Sequence, residues 1–383
     1  MNDLLERLAR KHDVPSAQLV VRHGGESTEA NVGVGPDAAF PLGSLTKPFT
    51  AALVLTLADD GDLDLDEPLP KLPVTPRQLL THTSGLAANV EQATVSRRRW
   101  AARQGPDDLV HRPGELFSYS NAGYVLAGHL VEDVTGVNWQ DAVESILLWP
   151  LRITPAFVTG RTERRAVPGH SGTRVIAGQS LPELEAPAGG LALSARDLVT
   201  FALNHDAAMS HDHLAGHRAG PYGLADGWGL GWAVYGQTWS GHDGTGDGTS
   251  CHLRFDGDTV VALTTDSAGG SALWQDLVDE LRSDGVPVGD HRPTSTAPEA
   301  SASQAEALTG RYANGDALVD VTHDGERLGL SIDGGPATTV TCHADLTFTV
   351  PGSPATPGRF LPGRLLQLGG RTARPAQDEG TAL

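Results

Sequence analysis

The sequence predicts an α+β fold in which helices flank an antiparallel sheet that is interrupted by an inserted helical region. A β-hairpin and a helix come first, a mainly helical stretch follows, and strands with a closing helix precede residue 285. Because strands from both ends of such a chain can pair in one sheet, the middle helices are expected to form the insertion. A small β module is predicted after this domain.

The first elements are a short helix, a hairpin and a second helix. Charged residues and leucines alternate over residues 1–11, as in an amphipathic helix. Strands are predicted at 17–22 and 27–32, around a His-Gly-Gly turn at 23–25. The next helix keeps an apolar period as far as Leu57.

Periodicity and capping residues predict the elements that follow. Helices are expected at 75–80, 124–134, 139–148, 194–203 and 272–281, and strands at 229–235, 251–255 and 259–264. Residues 285–304 are rich in Pro, Ser, Thr and Ala, so they are predicted to be a linker. This divides the chain into a domain at 1–284, the linker, and a small β-domain at 305–383.

Composition excludes several classes of partner. Hydrophobic residues make up 39% of the chain and charged residues 20%, which is the balance of a globular enzyme. A net charge of -19 disfavours nucleic acid and anionic membranes. With no signal-like or membrane-length apolar run, a cytoplasmic location is expected. Two cysteines are too few for a disulfide framework.

Ser44 and Lys47 form the first candidate catalytic pair. Residues three apart on a helix share a face, and a lysine one turn from a serine can accept or relay the serine proton. Ser44 is therefore a candidate nucleophile and Lys47 its activator. The alternative from these residues alone is a helix N-terminus, with Ser44 as the cap and Lys47 as a solvated charge.

Two further segments carry residues suited to the same chemistry. Tyr119 and Asn121 form a Tyr-x-Asn sequence in a loop before a helix, where a tyrosine near a lysine can move protons. His242 and Gly244 form a His-x-Gly sequence, predicted at the start of a strand, that places a cation or donor beside a backbone open to close approach. Alone, the first fits a buried tyrosine with a helix cap, and the second an ordinary glycine-rich turn.

In this order the three segments resemble the boxes of the serine β-lactamase and penicillin-binding-protein-like superfamily. Class C β-lactamases, D-alanyl-D-alanine carboxypeptidases, family VIII esterases and related transacylases belong to it. The segments at 79–86, 113–115 and 188–191 support the resemblance, which covers about residues 10–282. It implies a class C β-lactamase-like domain, and the C-terminal module resembles the small lipocalin-like domains appended to some of these enzymes.

The resemblance also implies roles for individual residues. Ser44 would form an acyl-enzyme while Lys47 takes or relays its proton. Tyr119 would act as general base or as the acid toward the leaving group, and Asn121 would hold Lys47 and the acyl side chain. His242, in place of the usual lysine, would stabilise a Tyr119 phenolate or meet a substrate carboxylate. These five residues are the predicted catalytic set.

The predicted oxyanion hole is formed by the backbone N–H groups of Ser44 and Thr245. Gly244, Trp228 and Trp232 are expected to contact the substrate, although the two tryptophans also fit a core role. Ser84 has no lysine one turn later, so we expect it to be structural.

No metal or other cofactor is expected. The histidine-rich stretch at 204–218 has no established ligand spacing, so it is interpreted as a solvated loop rather than a zinc site.

The function predicted from the sequence is that of a cytoplasmic serine hydrolase or acyltransferase. It would cleave a small-molecule ester or amide as an esterase or amidase, or pass the acyl group to an amine in small-molecule biosynthesis. The alternatives are a β-lactamase or D-amino-acid peptidase and, more distantly, a non-catalytic binding protein on the same fold.

Overall fold

The computed structural model describes residues 1–90, 95–159, 164–172, 174–214 and 217–376. In chain order its α-helices are α1 (Asn2–Lys11), α2 (Lys47–Asp59), α3 (Pro76–Leu80), α4 (Arg97–Ala101), α5 (Asn121–Thr135), α6 (Trp139–Ala142), α7 (Ala186–Gly189), α8 (Ala195–Leu203), α9 (Gly270–Ser283) and α10 (Ala302–Glu306). The strands up to α9 are β1 (Ala17–His23), β2 (Glu26–Val32), β3 (Phe40–Pro41), β4 (Ala156–Phe157), β5 (Gly169–Ser171), β6 (Arg174–Ile176), β7 (Leu191–Leu193), β8 (Gly227–Trp228), β9 (Ala233–Tyr235), β10 (Trp239–Gly246), β11 (Thr249–Asp256) and β12 (Thr259–Thr265). The strands after α10 are β13 (Gly310–Asn314), β14 (Ala317–His323), β15 (Leu328–Ile332), β16 (Thr338–Val340), β17 (Thr347–Val350), β18 (Thr356–Leu361), β19 (Leu365–Leu368) and β20 (Arg371–Pro375).

The main sheet joins strands from both ends of the first domain. Its order is β2-β1-β12-β11-β10-β9-β8, and its neighbours run antiparallel. The helices α3 to α8 lie between the opening elements and β8 in the chain, so they correspond to the predicted insertion. The α+β fold predicted from the sequence is confirmed.

Both faces of this sheet are covered because successive side chains point to opposite sides. Leu19 and Leu263 face α1 and α9 and pack in one apolar cluster with them. Val20 and Ala262 belong to the larger core on the opposite face, which also contains Phe49 of α2. The turn Gly43–Thr46, which precedes α2, contacts β10 and β11, so the sheet places the Ser44 segment beside the His242 segment on β10.

Local structure differs from the sequence prediction at three places. Residues 229–235 do not form one strand; β8 and β9 are separated by a bend in which Gly231 has a φ of +93°. A Cβ at that position would lie 2.5 Å from the Ala51 side chain, so the bend packs directly on α2. His242 lies inside β10, not at the start of a strand. The helix predicted at 139–148 changes after α6 into a wider π-type turn over Val143–Leu148.

The chain after the linker folds as the predicted β module. Its sheet has the order β16-β15-β14-β13-β20-β19-β18-β17, and the edge strands β16 and β17 lie next to each other, so the sheet is nearly closed. Tyr312, Phe348 and Phe360 fill its interior. The boundaries 1–284, 285–304 and 305–383 stay predictions, and residues 377–383 lie outside the described part of the chain.

The β module docks on the loop that carries Tyr119. The backbone N–H of Tyr119 donates to the Gly370 carbonyl at 3.0 Å. Asn314 is 3% exposed; its side chain accepts from the Ala88 N–H at 2.7 Å and donates to the Ser118 hydroxyl at 3.1 Å. Because buried polar groups are costly when unpaired, these bonds fix the module against the loop.

We expect Asn314→Ala to lower the free energy of unfolding by about 2 kcal/mol, because it leaves the buried Ala88 N–H without its acceptor. Urea unfolding followed by circular dichroism measures this effect. Asn204→Ala is the control, since Asn204 lies exposed at the end of α8 and donates only to Thr200 of its own helix. It should change stability by less than about 0.5 kcal/mol. Equal losses in both variants would contradict the role given to Asn314.

In the part of the chain that the structure describes, every helix is too short or too polar to cross a lipid bilayer.

Candidate active site

Ser44 lies in a tight 3-10 turn, Gly43–Thr46, that leads directly into α2. It therefore precedes the α-helix that the sequence placed it on, while Lys47 is the first residue of α2. Gly43 has a φ of +51°, and a Cβ there would lie 2.1 Å from the Thr245 carbonyl oxygen. Only glycine permits both features, so the turn can press the backbone of Ser44 against β10.

Lys47 is fully buried beneath Ser44. Its Nζ donates to the Ser44 Oγ at 2.9 Å and to the Ala188 carbonyl at 2.8 Å. Burial lowers the pKa of Lys47 well below its usual range, Arg371 lowers it further, and Glu185 acts in the opposite direction. The amine is thus poised to be neutral, which is the form that can accept the proton of Ser44.

Tyr119 stands over Lys47, with the amine 5.0 Å from its ring centroid. The ring also packs on His82 at a centroid distance of 4.1 Å. Burial raises the pKa of Tyr119 and outweighs the lowering by the Ser44 hydroxyl and Arg371. The phenol is therefore neutral at rest, and its hydroxyl closes no hydrogen bond of ordinary geometry with any described residue.

His242 lies on β10, 3% exposed, with its ring 6.2 Å from that of Tyr119. Burial lowers the pKa of His242 to about 3, and the charge of Lys47 contributes in the same direction. Its Nδ1 faces the Asp243 carbonyl at 2.6 Å and must carry the proton there, which leaves Nε2 as an acceptor. Nε2 has no partner among the described residues. His242 is thus a neutral proton acceptor, not the cation that could meet a substrate carboxylate.

Asp243 anchors β10 beside the turn of Ser44. Arg254, which is buried, donates to both of its carboxylate oxygens at 2.8 and 2.9 Å, and His252 contacts one of them at 2.7 Å. Burial alone would raise the pKa of Asp243, but Arg254 and His252 outweigh it and hold that pKa well below its usual range. The charged pair fixes the position of His242 and Thr245 relative to Ser44.

Two cavities meet at Ser44 and Thr245. The first, of about 270 Å³, is here called the Arg371 cavity, and its lining includes Ser44, Tyr119, Trp228, His242, Asp243, Gly244, Thr245 and Arg371. The second, of about 380 Å³, is called the Glu185 cavity, and its lining includes Ser44, Asn121, Gln179, Leu181, Glu185, Gly189, Thr245 and Asp247. A larger cavity of about 580 Å³ beside Asn89 does not reach Ser44. Ser44 is therefore open to two separate spaces.

The structure brings most of the predicted site residues together. Trp228 and Gly244 line the Arg371 cavity. Asn121 lines the Glu185 cavity, but its side chain donates to Asn89 at 3.4 Å, and Lys47 is held instead by the Ala188 carbonyl.

The expectation for Trp232 needs correction. Its side chain is fully buried against Phe201 and Phe255 in the core and does not line either cavity. The bend at Gly231 turns it away from the strand face that carries Trp228.

Arg371, Glu185 and Asp243 were not identified from the sequence. Arg371 lies on β20 of the β module, more than a hundred residues after the last of the boxes, and no spacing connects them. Asp243 adjoins His242, so its position inside the third box was the one available signal. The Ala188 carbonyl was indicated only by the Ala-Gly-Gly-Leu segment at 188–191.

Comparison with known proteins relates the chain to one protein family. The family model described as Beta-lactamase matches residues 1–282. A solved structure titled "Crystal structure of SurE with D-Leu" is 36% identical, covers 98% of each chain and superposes with a TM-score of 0.83. The curated "Penicillin-binding protein 4" of Amycolatopsis lactamdurans is 29% identical over an alignment of 367 positions, which covers 79% of this chain and 96% of the relative.

A more distant structure shares the fold of the first domain. The D-amino acid amidase of Ochrobactrum anthropi SV3 is 24% identical, with a TM-score of 0.61, over 74% of this chain and 99% of the amidase. The structure titled SurE, in contrast, extends over the β module as well.

Proposed function

The chain belongs to the beta-lactamase family, and we propose that it is a serine acyltransferase that forms an acyl-enzyme on Ser44. The acyl group of a small-molecule ester, thioester or amide would then pass to the amine of an amino-acid-like acceptor. The observation that carries the proposal is the Arg371 cavity, whose lining contains the exposed Arg371 guanidinium together with the neutral acid-base pair Tyr119 and His242.

The first step forms the acyl-enzyme. Neutral Lys47 takes the hydroxyl proton of Ser44 across the 2.9 Å hydrogen bond while Oγ attacks the acyl carbonyl. The backbone N–H groups of Ser44 and Thr245 would hold the oxyanion. As the tetrahedral intermediate collapses, the bond to the leaving group breaks, and the neutral Tyr119 phenol protonates that group. Lys47 returns its proton to Tyr119, and the acyl ester remains on Ser44.

The second step transfers the acyl group. An uncharged amine in the Arg371 cavity attacks the ester carbonyl and gives a proton to the Nε2 of His242, which has no partner among the described residues. The ester bond then breaks, and the proton on His242 is passed through Tyr119 and Lys47 to Ser44 Oγ, so that His242, Tyr119 and Lys47 return to their neutral resting forms. Water attacking from the same cavity would give hydrolysis, so occupancy of this cavity decides between transfer and an esterase or amidase reaction.

Arg371 supports an acceptor with a carboxylate. Among the described residues its guanidinium has no hydrogen bond or ion pair, and it faces the cavity from β20. A guanidinium is suited to a carboxylate because it can donate two parallel hydrogen bonds. The related structure that is titled with D-Leu supports a free D-amino acid as the probe for this cavity.

We expect Arg371→Ala to raise the KM for a D-leucine acceptor about tenfold and to change the KM for D-leucinamide, which lacks the carboxylate, by less than about twofold. Steady-state transfer assays with both acceptors measure this split. Arg311→Ala is the matched control, because Arg311 lies on the surface of the same module and pairs with Asp320. Equal KM increases for both acceptors would exclude carboxylate recognition by Arg371.

The proposed function itself is tested by supplying a phenyl thioester with and without D-leucine and identifying products by mass spectrometry. An amide formed only when D-leucine is present supports transfer. Free acid in equal yield with and without D-leucine would make the protein a hydrolase. We include a cytoplasmic location in the proposal because the acyl donors of biosynthetic transfer are made inside the cell; fractionation would test it.

A further inference from the structure

The Glu185 cavity differs from the Arg371 cavity in charge. Its described lining contains two carboxylates, Glu185 and Asp247, and no lysine or arginine. Asp247 already accepts a hydrogen bond from the Ser180 N–H at 2.6 Å. Glu185 is only partly buried, and no hydrogen bond or ion pair reaches its carboxylate within the described residues.

Helix capping does not account for an acidic residue at position 185. Glu185 is the residue before α7, where an acidic side chain often caps the helix, but here it makes no capping hydrogen bond. The charge of Glu185 raises the pKa of Lys47. Burial raises the pKa of Glu185, and the charge of Lys47 lowers it by a smaller amount. Glu185 therefore stands close to the catalytic amine while its oxygens stay available to a ligand.

The proposed function, on which this inference rests, decides what enters the Glu185 cavity. The leaving group takes its proton from Tyr119 and the acceptor amine gives one to His242, and of the two cavities these residues line only the Arg371 cavity. The acyl group must then extend from Ser44 to the opposite side, past Asn121 and Gly189. A free carboxylate there would attract a donor that carries positive charge and would repel an anionic one.

We propose that Glu185 is a specificity residue for the acyl donor and binds the protonated amine of an aminoacyl group attached to Ser44. The enzyme then has one charged partner in each cavity, an ammonium ion at Glu185 for the donor and a carboxylate at Arg371 for the acceptor. In a dipeptide-like product, the ammonium group would lie at Glu185, the carboxylate at Arg371 and the new amide bond at Ser44.

The test uses pairs of phenyl thioesters that differ only in charge. D-alanine is matched with isobutyric acid, and β-alanine with butyric acid, so that a methyl group replaces the ammonium ion in each pair. Release of thiophenol gives kcat/KM for each donor. For the ammonium donor that the wild type prefers, we expect Glu185→Gln to lower kcat/KM about tenfold and to change the value for its neutral partner less than about twofold.

Glu183→Gln is the control, since Glu183 is an exposed glutamate two residues earlier and does not line either cavity. It should leave the donor preference unchanged. The inference would be overturned if Glu185→Gln lowered kcat/KM equally for both donors of a pair, or if the wild type did not prefer ammonium donors. In either case, thiophenol release that depends on Ser44 would still support the acyl-enzyme. Failure of all four donors to react would count against the proposed function together with this inference.

Discussion

Ser44→Ala is expected to lower kcat by at least about a thousandfold, because no other described hydroxyl has the Lys47 amine within hydrogen-bond reach. The variant should keep the fold, since the 3-10 turn is shaped by Gly43 and the Ser44 hydroxyl caps no helix. Thiophenol release from the donor preferred by the wild type measures the loss. Circular dichroism confirms that the variant is folded.

Ser84→Ala is the control for this result. Ser84 is buried, and its hydroxyl accepts from the Leu86 N–H at 3.3 Å, which is the structural role expected from the sequence. We expect kcat within about threefold of the wild type, as is usual for loss of a single local hydrogen bond. If Ser84→Ala lost activity while Ser44→Ala kept it, the nucleophile would have been assigned to the wrong serine.

Lys47→Met is expected to remove activity to a similar extent but to make the folded protein more stable. Methionine has a similar length and needs no hydration, whereas the folded protein must hold the buried amine against a loss of solvation. We expect the free energy of unfolding to increase by about 1 kcal/mol, which is typical when a destabilising functional residue is replaced. Thermal and urea unfolding of both proteins measure it.

The difference in stability between the wild type and Lys47→Met should decrease as the pH rises. Because the pKa of Lys47 is lowered in the folded state, the unfolded chain binds more protons than the folded one below about pH 10, the range of a free lysine. Wild-type stability therefore gains from rising pH, and the advantage of Lys47→Met should be larger at pH 7 than at pH 10. An advantage that grew toward pH 10 would contradict a buried, neutral Lys47.

The sequence predicted those parts of the molecule that depend on local pattern. The hairpin at β1 and β2 followed from alternation and a glycine turn, and the sheet from strands at both ends of the first domain. The nucleophile pair followed from a three-residue spacing that survives the change from α-helix to 3-10 turn, since Lys47 still reaches Ser44. The turn, the individual strands and the spacing need only neighbouring residues, and periodicity contains that information. The pairing of the strands in one sheet was inferred from their order along the chain.

Features that depend on contacts between distant segments could not be predicted. Arg371 reaches the site because the β module, through residues such as Asn314 and Thr372, docks on the loop of Tyr119. The charge state of His242 depends on burial, which favours a neutral acceptor where the sequence left a cation or a donor open. Trp232 was expected in the pocket because its aromatic type fits one, but the bend at Gly231 directs it into the core.

The central claim is that acyl transfer passes through a covalent ester on Ser44 next to a neutral Lys47. Intact-protein mass spectrometry during turnover, followed by peptide mapping, tests it most directly. The account predicts one acyl adduct on the wild type, located in the peptide that contains Ser44, that disappears faster when D-leucine is added. An adduct of the same mass on Ser44→Ala, or an adduct mapped to another residue in the wild type, would contradict it.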